Sequence, residues 1–569
     1  MQKLLTPLKN KIPQIALIIF LLVVQAYTSL TLPSYTADIV NIGIQNANFN
    51  FILNTGTMMI LMVAIAVIAA VFTSYFSSRI SSGYAKELRK IVYRKVLKFS
   101  NHELNNISRS SLITRTTNDI NQIQSIIGVI FTTLLFAPIL GVGSIIKAFE
   151  LETGLSWIIL VTFVVVASIL IIIIVRVLPY FKLTQEIIDK MNRTTREVLI
   201  GIPVIKAFVR QDKERKKFQK INKEFLDVNL YVYRNIFILM PSMTLFLNLM
   251  IVLILYFGAY DVMKSSILTG DIIAFIQYST QIVTSFILMG GFLIVLPRII
   301  VSGKRIAEVL NTEITIVDGE IDEIDEKPVL EFRNISYKYP GSERETLKDI
   351  NFKLEPGKAT AIIGGTGSGK STILNLIPRL QDPTSGEILI NNQNIKNYTL
   401  SALREKISFT PQKAILFQGT IKSNMLIGKK DATDGEIENA LKLAQVDFVN
   451  SLDDEVTQEA SNFSGGQKQR LSIARSIIGR HSFYLFDDCF SALDMNTEAK
   501  VKSNLSELSK DSSILIVSQR ISTIKDADEI IVIDNGEIIA KGTHDELNDT
   551  CDIYHEIVKS QIDTMEDTI

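Results

Sequence analysis

The chain has 569 residues, 47% of them hydrophobic and 21% charged, long enough for more than one folding unit. Its 59 basic and 59 acidic side chains cancel, which excludes the electrostatic grip of a nucleic-acid-binding protein. Two cysteines, both in the second half, and four histidines in all leave neither a disulfide framework nor a zinc-type cluster.

The averages hide an asymmetry, because nearly all the long apolar runs precede residue 300. The basic start Met1–Lys11 leads into an apolar stretch with no small-residue cleavage site before the next one, so it reads as a first anchor. Six stretches are long enough to span a bilayer, near Ile12–Pro33, Ile52–Ser77, Gln122–Lys147, Gly154–Pro179, Asn235–Tyr260 and Ile267–Leu296. A soluble domain could not hide six such stretches from water. Lys and Arg crowd the second and fourth loops (Arg79 to Lys98, Arg193 to Lys217), while Asp38–Asn50 has none. The positive-inside rule then places both termini and the two basic loops in the cytoplasm of a multi-pass plasma-membrane protein. Helical periodicity runs on through these loops, so the second to fifth helices should continue as stalks, broken only around Phe99–Ser110 and Gly201–Pro203. Gln25, Asn248, Gln277, Tyr278 and Gln281 are polar groups within spans, read equally well as interhelical ties or as substrate contacts. No Asp, Glu or Lys sits mid-span to relay protons. The expected organisation is a six-helix membrane domain over 1–301, a solvated linker over 302–328, a soluble α/β domain over 329–560 and a tail over 561–569.

In the soluble half, Val329–Tyr339 and Ala359–Ile363 read as strands. The second runs into Gly364-Gly365-Thr366-Gly367-Ser368-Gly369-Lys370-Ser371, followed by Thr372 and a helical pattern. This is a phosphate loop in its proper strand–helix context. Glycines let backbone N–H groups converge on phosphate oxygens, Lys370 would reach the β and γ phosphates, and Ser371 would place its hydroxyl on Mg²⁺. A later strand, Ser482–Phe486, ends in Asp487-Asp488. Asp487 is the candidate for holding Mg²⁺, and Asp488 stands where a water-activating base is wanted. Between them, Ser464-Gly465-Gly466-Gln467 opens another helix, a second anion site suited to the nucleotide of a facing subunit.

Phosphate loop, Phe463-Ser464-Gly465-Gly466-Gln467, and Asp487-Asp488 with Ser491-Ala492-Leu493-Asp494 behind it together resemble an ABC transporter cassette. The order of six spans and then cassette is similar to exporter-type half-transporters. That resemblance implies an α-helical transmembrane domain followed by an α/β phosphate-loop cassette with a helical subdomain, using ATP and Mg²⁺. It implies adenine stacking by Tyr339, a Mg²⁺-touching and membrane-sensing role for Gln412, transmembrane-loop contacts near Thr457–Ser461, and cross-dimer communication by Asp494. The loop breaks near Phe99–Ser110 and Gly201–Asp212 resemble coupling helices, the second docking on a partner's cassette. Two positions depart from the family. Its catalytic Glu is here Asp488, one methylene shorter, and its switch His is here Gln519, which cannot carry a positive charge. Both changes together, with the other motifs intact, look like the degenerate half of a heterodimeric exporter of amphipathic drugs, lipids or peptides. Its partner would be a second half-transporter carrying Glu and His. The alternatives are an active homodimer and a nucleotide-regulated channel or sensor.

Overall fold

A computed structural model describes residues 2–9, 11–151, 154–264, 267–506 and 510–566. Contacts divide the chain into two compact units, residues 1–97 with 107–312 and residues 98–106 with 313–569.

In the first unit the six apolar stretches are helices: Ile12–Ile44, Phe49–Val96, Arg109–Glu150, Ser156–Ala207, Gln211–Met263 and Thr269–Asn311. The second helix leaves Ile60 71% and Val71 61% exposed. Such a helix is costly in water and at rest in hydrocarbon, where it satisfies its own backbone groups. The fourth and fifth helices pack along each other, as do the first and second, and the sixth lies on the third. One buried cluster gathers Ile158, Met250, Ile254 and Phe275, and another gathers Val166, Leu170 and Met243. Two polar residues of the sixth helix, Tyr278 and Gln281, act as ties. The Tyr278 hydroxyl donates to the Leu30 carbonyl at 2.9 Å and lies 2.7 Å from Ser34 Oγ. Gln281 Nε2 donates to the Ser29 carbonyl, and its Oε1 accepts from Ser144 Oγ. Asn248 Nδ2, by contrast, donates to the Thr244 carbonyl of its own helix.

Three boundaries differ from the sequence reading. The fourth helix passes through Gly201 and Pro203 to Ala207, and the turn falls at Phe208–Arg210. Pro203 removes one late donor, and it does so on an exposed stretch where water can satisfy the freed carbonyl. Ser302–Asn311 is the end of the sixth helix, not solvated linker, because Ile306, Val309 and Leu310 bury one face. At the other end the last helix runs Asp552–Glu566, so helix occupies most of the expected tail. Its remainder, 567–569, lies outside the described residues.

The second unit holds β1 (Leu330–Tyr337), β2 (Leu347–Leu354), β3 (Ala359–Gly364), β4 (Ser385–Ile390), β5 (Gln393–Asn394), β6 (Ile407–Thr410), β7 (Gly419–Thr420), β8 (Glu455–Val456), β9 (Phe483–Asp487), β10 (Ser513–Val517), β11 (Glu529–Asp534) and β12 (Glu537–Gly542). One sheet has the order β2-β1-β4-β5 and is antiparallel. The larger has the order β12-β11-β3-β10-β9-β6, parallel except for the β11–β12 edge. Its central strands are apolar without alternation because both faces are covered. Ala361, Ile363, Tyr484, Phe486, Ile514 and Ile516 point into one core. Their neighbours Ile362, Phe483, Leu485, Leu515 and Val517 point into the other.

Candidate functional site

Four adjacent parallel strands bring the motifs together. In the order β3-β10-β9-β6, the carboxyl ends deliver the phosphate loop, Gln519, Asp487-Asp488 and Gln412 to one edge of the sheet. This is the edge at which open α/β sheets bind ligands. An open cleft of ≈ 390 Å³ lies there, lined among others by Tyr339, Thr366, Lys370, Ser371, Thr372, Gln412, Asp487, Asp488 and Gln519.

The loop needs its glycines. A Cβ at Gly364 would stand 2.0 Å from the Ile533 carbonyl oxygen, and Gly369 takes φ +99 against Leu347. Lys370 is nearly buried, and its Nζ donates to the carbonyls of Gly364 (2.8 Å) and Gly365 (2.7 Å) and to Ser368 Oγ (3.3 Å). Burial pulls its ammonium below the usual lysine range, with Asp488 and Asp487 acting against the shift. A phosphate oxygen is a stronger acceptor for this cation than the carbonyls that hold it. Tyr339 lies on the rim, its hydroxyl 3.1 Å from Thr372 Oγ1 and its ring edge-on to Tyr337.

Ser371 Oγ donates to Asp487 Oδ1 at 3.0 Å. Burial raises the Asp487 carboxyl above the usual range, and the Ser371 hydrogen bond opposes this. Asp488 takes φ +43, with its N–H donating to the Val517 carbonyl at 2.8 Å. Its Oδ2 accepts from Gln412 Nε2 at 3.4 Å, whereas its Oδ1 is buried with no hydrogen bond of good geometry among the described residues. Burial raises this carboxyl too, against the Gln412 bond and against the nearby Arg520 and Gln519 N–H, which also favour the charged form. The Ser371 hydroxyl, the Asp487 carboxylate and the Gln412 amide oxygen form a hard donor set that fits Mg²⁺. Asp488 lines the same cleft and brings a further carboxylate to it.

Gly364, Gly365 and Ser368 hold the Lys370 ammonium and are not among the residues that line the cleft. Neither are Ser464, Gly465, Gly466, Gln467 or Asp494. Ser464 caps the helix Gly465–Ile477 in a reciprocal box: its Oγ accepts from the Gln467 N–H, and its own N–H donates to Gln467 Oε1. The Ser464 cap sets the start of that helix at Gly465. Asp494 caps the helix Met495–Leu505 by accepting from the Thr497 N–H at 3.0 Å. Sequence reasoning missed Gln469, whose Nε2 donates to the Gln412 carbonyl at 2.6 Å and so ties the helix opened by the Ser464-Gly465-Gly466-Gln467 signature to the Gln412 loop. Its place two residues after Gln467 was the available signal.

Residues 15–286 match the family model of the ABC transporter transmembrane region, and residues 347–491 match that of the ABC transporter. An uncharacterized ABC transporter ATP-binding protein of Mycobacterium tuberculosis is 36% identical over 556 residues, 96% of each chain. The chain belongs to the ABC transporter family. Bacillus subtilis YfiB, also an uncharacterized ABC transporter ATP-binding protein, is 35% identical over 573 residues, covering 99% of this chain and 98% of the relative. A bacterial Atm1-family ABC exporter with ATP bound superposes with a TM-score of 0.79 at 22% identity, covering 97% of this chain and 98% of the other, a likeness of fold. This ABC transporter is therefore a multi-pass membrane protein with an ATP-hydrolysing cassette, of a layout that works as a dimer.

In the ABC transporter's own cleft, Lys370 and the loop amides would bind and orient the phosphates, and Tyr339 would offer its ring to the base. Bound Mg²⁺ would neutralise developing charge on the phosphate oxygens, held by Ser371, Asp487 and Gln412. Asp488 would orient the attacking water and take its proton.

Proposed function

We propose that this chain is the slow-site subunit of a heterodimeric exporter. It would move amphipathic drugs, lipids or peptides out of the cytoplasm across the plasma membrane, with both termini and the cassette cytoplasmic. Its cleft binds ATP and Mg²⁺ through a full set of loop, hydroxyl and carboxylate groups. The observation that carries the reading is Asp488. One of its oxygens is engaged by Gln412 at 3.4 Å and the other is buried with no hydrogen bond of good geometry among the described residues, on an arm one methylene shorter than the family's Glu. A displacement of about 1 Å costs on the order of 10²-fold in rate. Gln519 lines the same cleft and offers a hydrogen bond but no charge. The signature residues lie outside this cleft, which supports their completing a partner's site. In that arrangement the intact Ser464–Gln467 serves a fast site carrying the partner's Glu and His.

The test is ATP turnover by the chain in lipid nanodiscs. The wild type should turn over slowly, and Asp488→Glu with Gln519→His should raise the rate by on the order of 10²-fold. Brisk, cooperative turnover by the wild type purified alone overturns the reading in favour of an active homodimer.

A further inference from the structure

The last helix of the chain reaches back to the nucleotide cleft. Asp552–Glu566 packs on the cassette core through the fully buried Tyr554 and the partly buried Ile557 and Val558, one stripe at helical spacing. Gln561 is the next position of that stripe. Where an apolar side chain would continue the packing, an amide makes two hydrogen bonds to one turn of backbone. Gln561 Oε1 accepts from the Ile521 N–H at 2.9 Å, and its Nε2 donates to the Gln519 carbonyl at 2.7 Å. The two bonds close a bracket across Arg520. They also satisfy a donor at the start of the helix Ile521–Ile524, whose N-cap residue Arg520 supplies no side-chain cap.

The bracketed turn is one that serves the nucleotide. Gln519 follows β10, which lies between the phosphate-loop strand β3 and the Asp487 strand β9. It lines the cleft with Lys370 and Asp488, where the terminal phosphate of ATP would lie. Arg520 fixes the same turn from its other end. Its Nη2 donates to the Ser491 carbonyl at 2.7 Å, and its N–H donates to Ser518 Oγ at 3.0 Å. A side-chain amide bonded at both ends sets where that backbone stands, and a group that meets a phosphate needs placing to within about 0.5 Å.

We infer that Gln561 is a positioning residue for this chain's nucleotide cleft, through which the last helix sets Gln519 against the terminal phosphate of ATP. The inference rests on the cleft's binding ATP and holds whether that cleft turns over slowly or fast. Loss of the bracket weakens ATP, which carries that phosphate, more than ADP, which lacks it and keeps Lys370 and the loop amides.

The experiment uses the full chain, with its partner subunit where it has one, in nanodiscs with Mg²⁺. An 8-azido-ATP probe photolabels this chain on ice, and displacement by ATP or by ADP gives the ratio of the two affinities at its cleft. Gln561→Met keeps the length and packing of the side chain and removes both bonds. It should lower the preference for ATP over ADP by roughly tenfold, the scale of one or two lost hydrogen bonds, with displacement by ADP unchanged. Gln561→Glu keeps the acceptor for Ile521 but sets a second acceptor against the Gln519 carbonyl, so its preference should fall as well. Val558→Ala loosens the same helix without touching the bracket. It should lower the melting temperature and leave the preference as in wild type. Gln519→Ala should lower the preference, and adding Gln561→Met to it should lower it no further. A wild-type preference in Gln561→Met overturns the inference. An equal fall in Val558→Ala overturns it too, because the effect would then be one of helix packing alone. If Gln561→Met does not fold, a wild-type preference in Gln561→Glu overturns it, as does a wild type that does not distinguish ATP from ADP. Rapid ATP turnover by the wild type purified alone would sink the slow-site reading and leave this one standing.

Discussion

Asp487 and Asp488 stand at the end of β9 with both carboxyls raised by burial, Asp487 restrained by Ser371 and Asp488 by Gln412. A raised carboxyl is one whose charged form the fold disfavours, so its stabilising contribution is present at low pH and is lost as pH rises through the folded value. The nucleotide-free cassette therefore disfavours the charged form of Asp487, a cost that a bound cation relieves. Asp487→Asn should raise the melting temperature of the nucleotide-free protein by a few degrees at neutral pH. It should also abolish the extra stabilisation by ATP with Mg²⁺. Below the carboxylate range the two proteins should melt together, because Asp487 is then protonated folded or unfolded. Thermal melts at several pH values, with and without Mg²⁺-ATP, check this. A variant less stable than wild type at neutral pH would mean that the Ser371 bond outweighs the burial cost.

Among the elements, the sixth membrane helix is tied to the first and third by Tyr278 and Gln281. Tyr278→Phe keeps the ring in its apolar cluster and removes one hydroxyl. It should cost about 1 kcal/mol of stability, measured by denaturation in detergent or nanodiscs, since interhelical bonds in bilayers are worth about 0.6–2 kcal/mol. Nucleotide affinity should stay unchanged. A loss of transport with stability intact would instead mark Tyr278 as a substrate contact. The sequence could not separate these readings, because a polar side chain within a span looks the same whether it faces a neighbouring helix or a wet cavity. The cassette motifs were legible for the opposite reason: Gly364 and Gly369 occupy backbone positions that only glycine fits. Boundaries set by packing were harder to read. Pro203 looks like a break, yet the helix runs past it, and Ser302–Asn311 looks like linker until Ile306, Val309 and Leu310 are seen buried. Gln561 passed unnoticed because its partners Gln519 and Ile521 lie 42 and 40 residues away in sequence.

For the whole molecule, the decisive fact is that one chain's signature residues do not line its own nucleotide cleft. In the proposed arrangement two subunits each contribute half of every complete site. In a homodimer, damage to the phosphate loop and damage to the signature fall on the same two sites and cost the same. In the proposed heterodimer they fall on different sites. Gly466→Asp places a carboxylate at the start of the signature helix, where the partner's phosphates would bind and like charge repels. It should lower turnover of the assembled pair by at least about 10²-fold, on the scale of losing one essential stabilising donor. Lys370→Ala, which disables only the slow cleft, should leave most of the turnover while weakening nucleotide retention at that cleft. The measurement is ATPase of the co-purified pair, with each lesion placed on this chain alone. Equal losses from the two lesions would show that the sites are alike. A large loss from Lys370→Ala with little from Gly466→Asp would reverse the assignment of fast and slow, because the phosphate loop of this chain would then belong to the site that turns over.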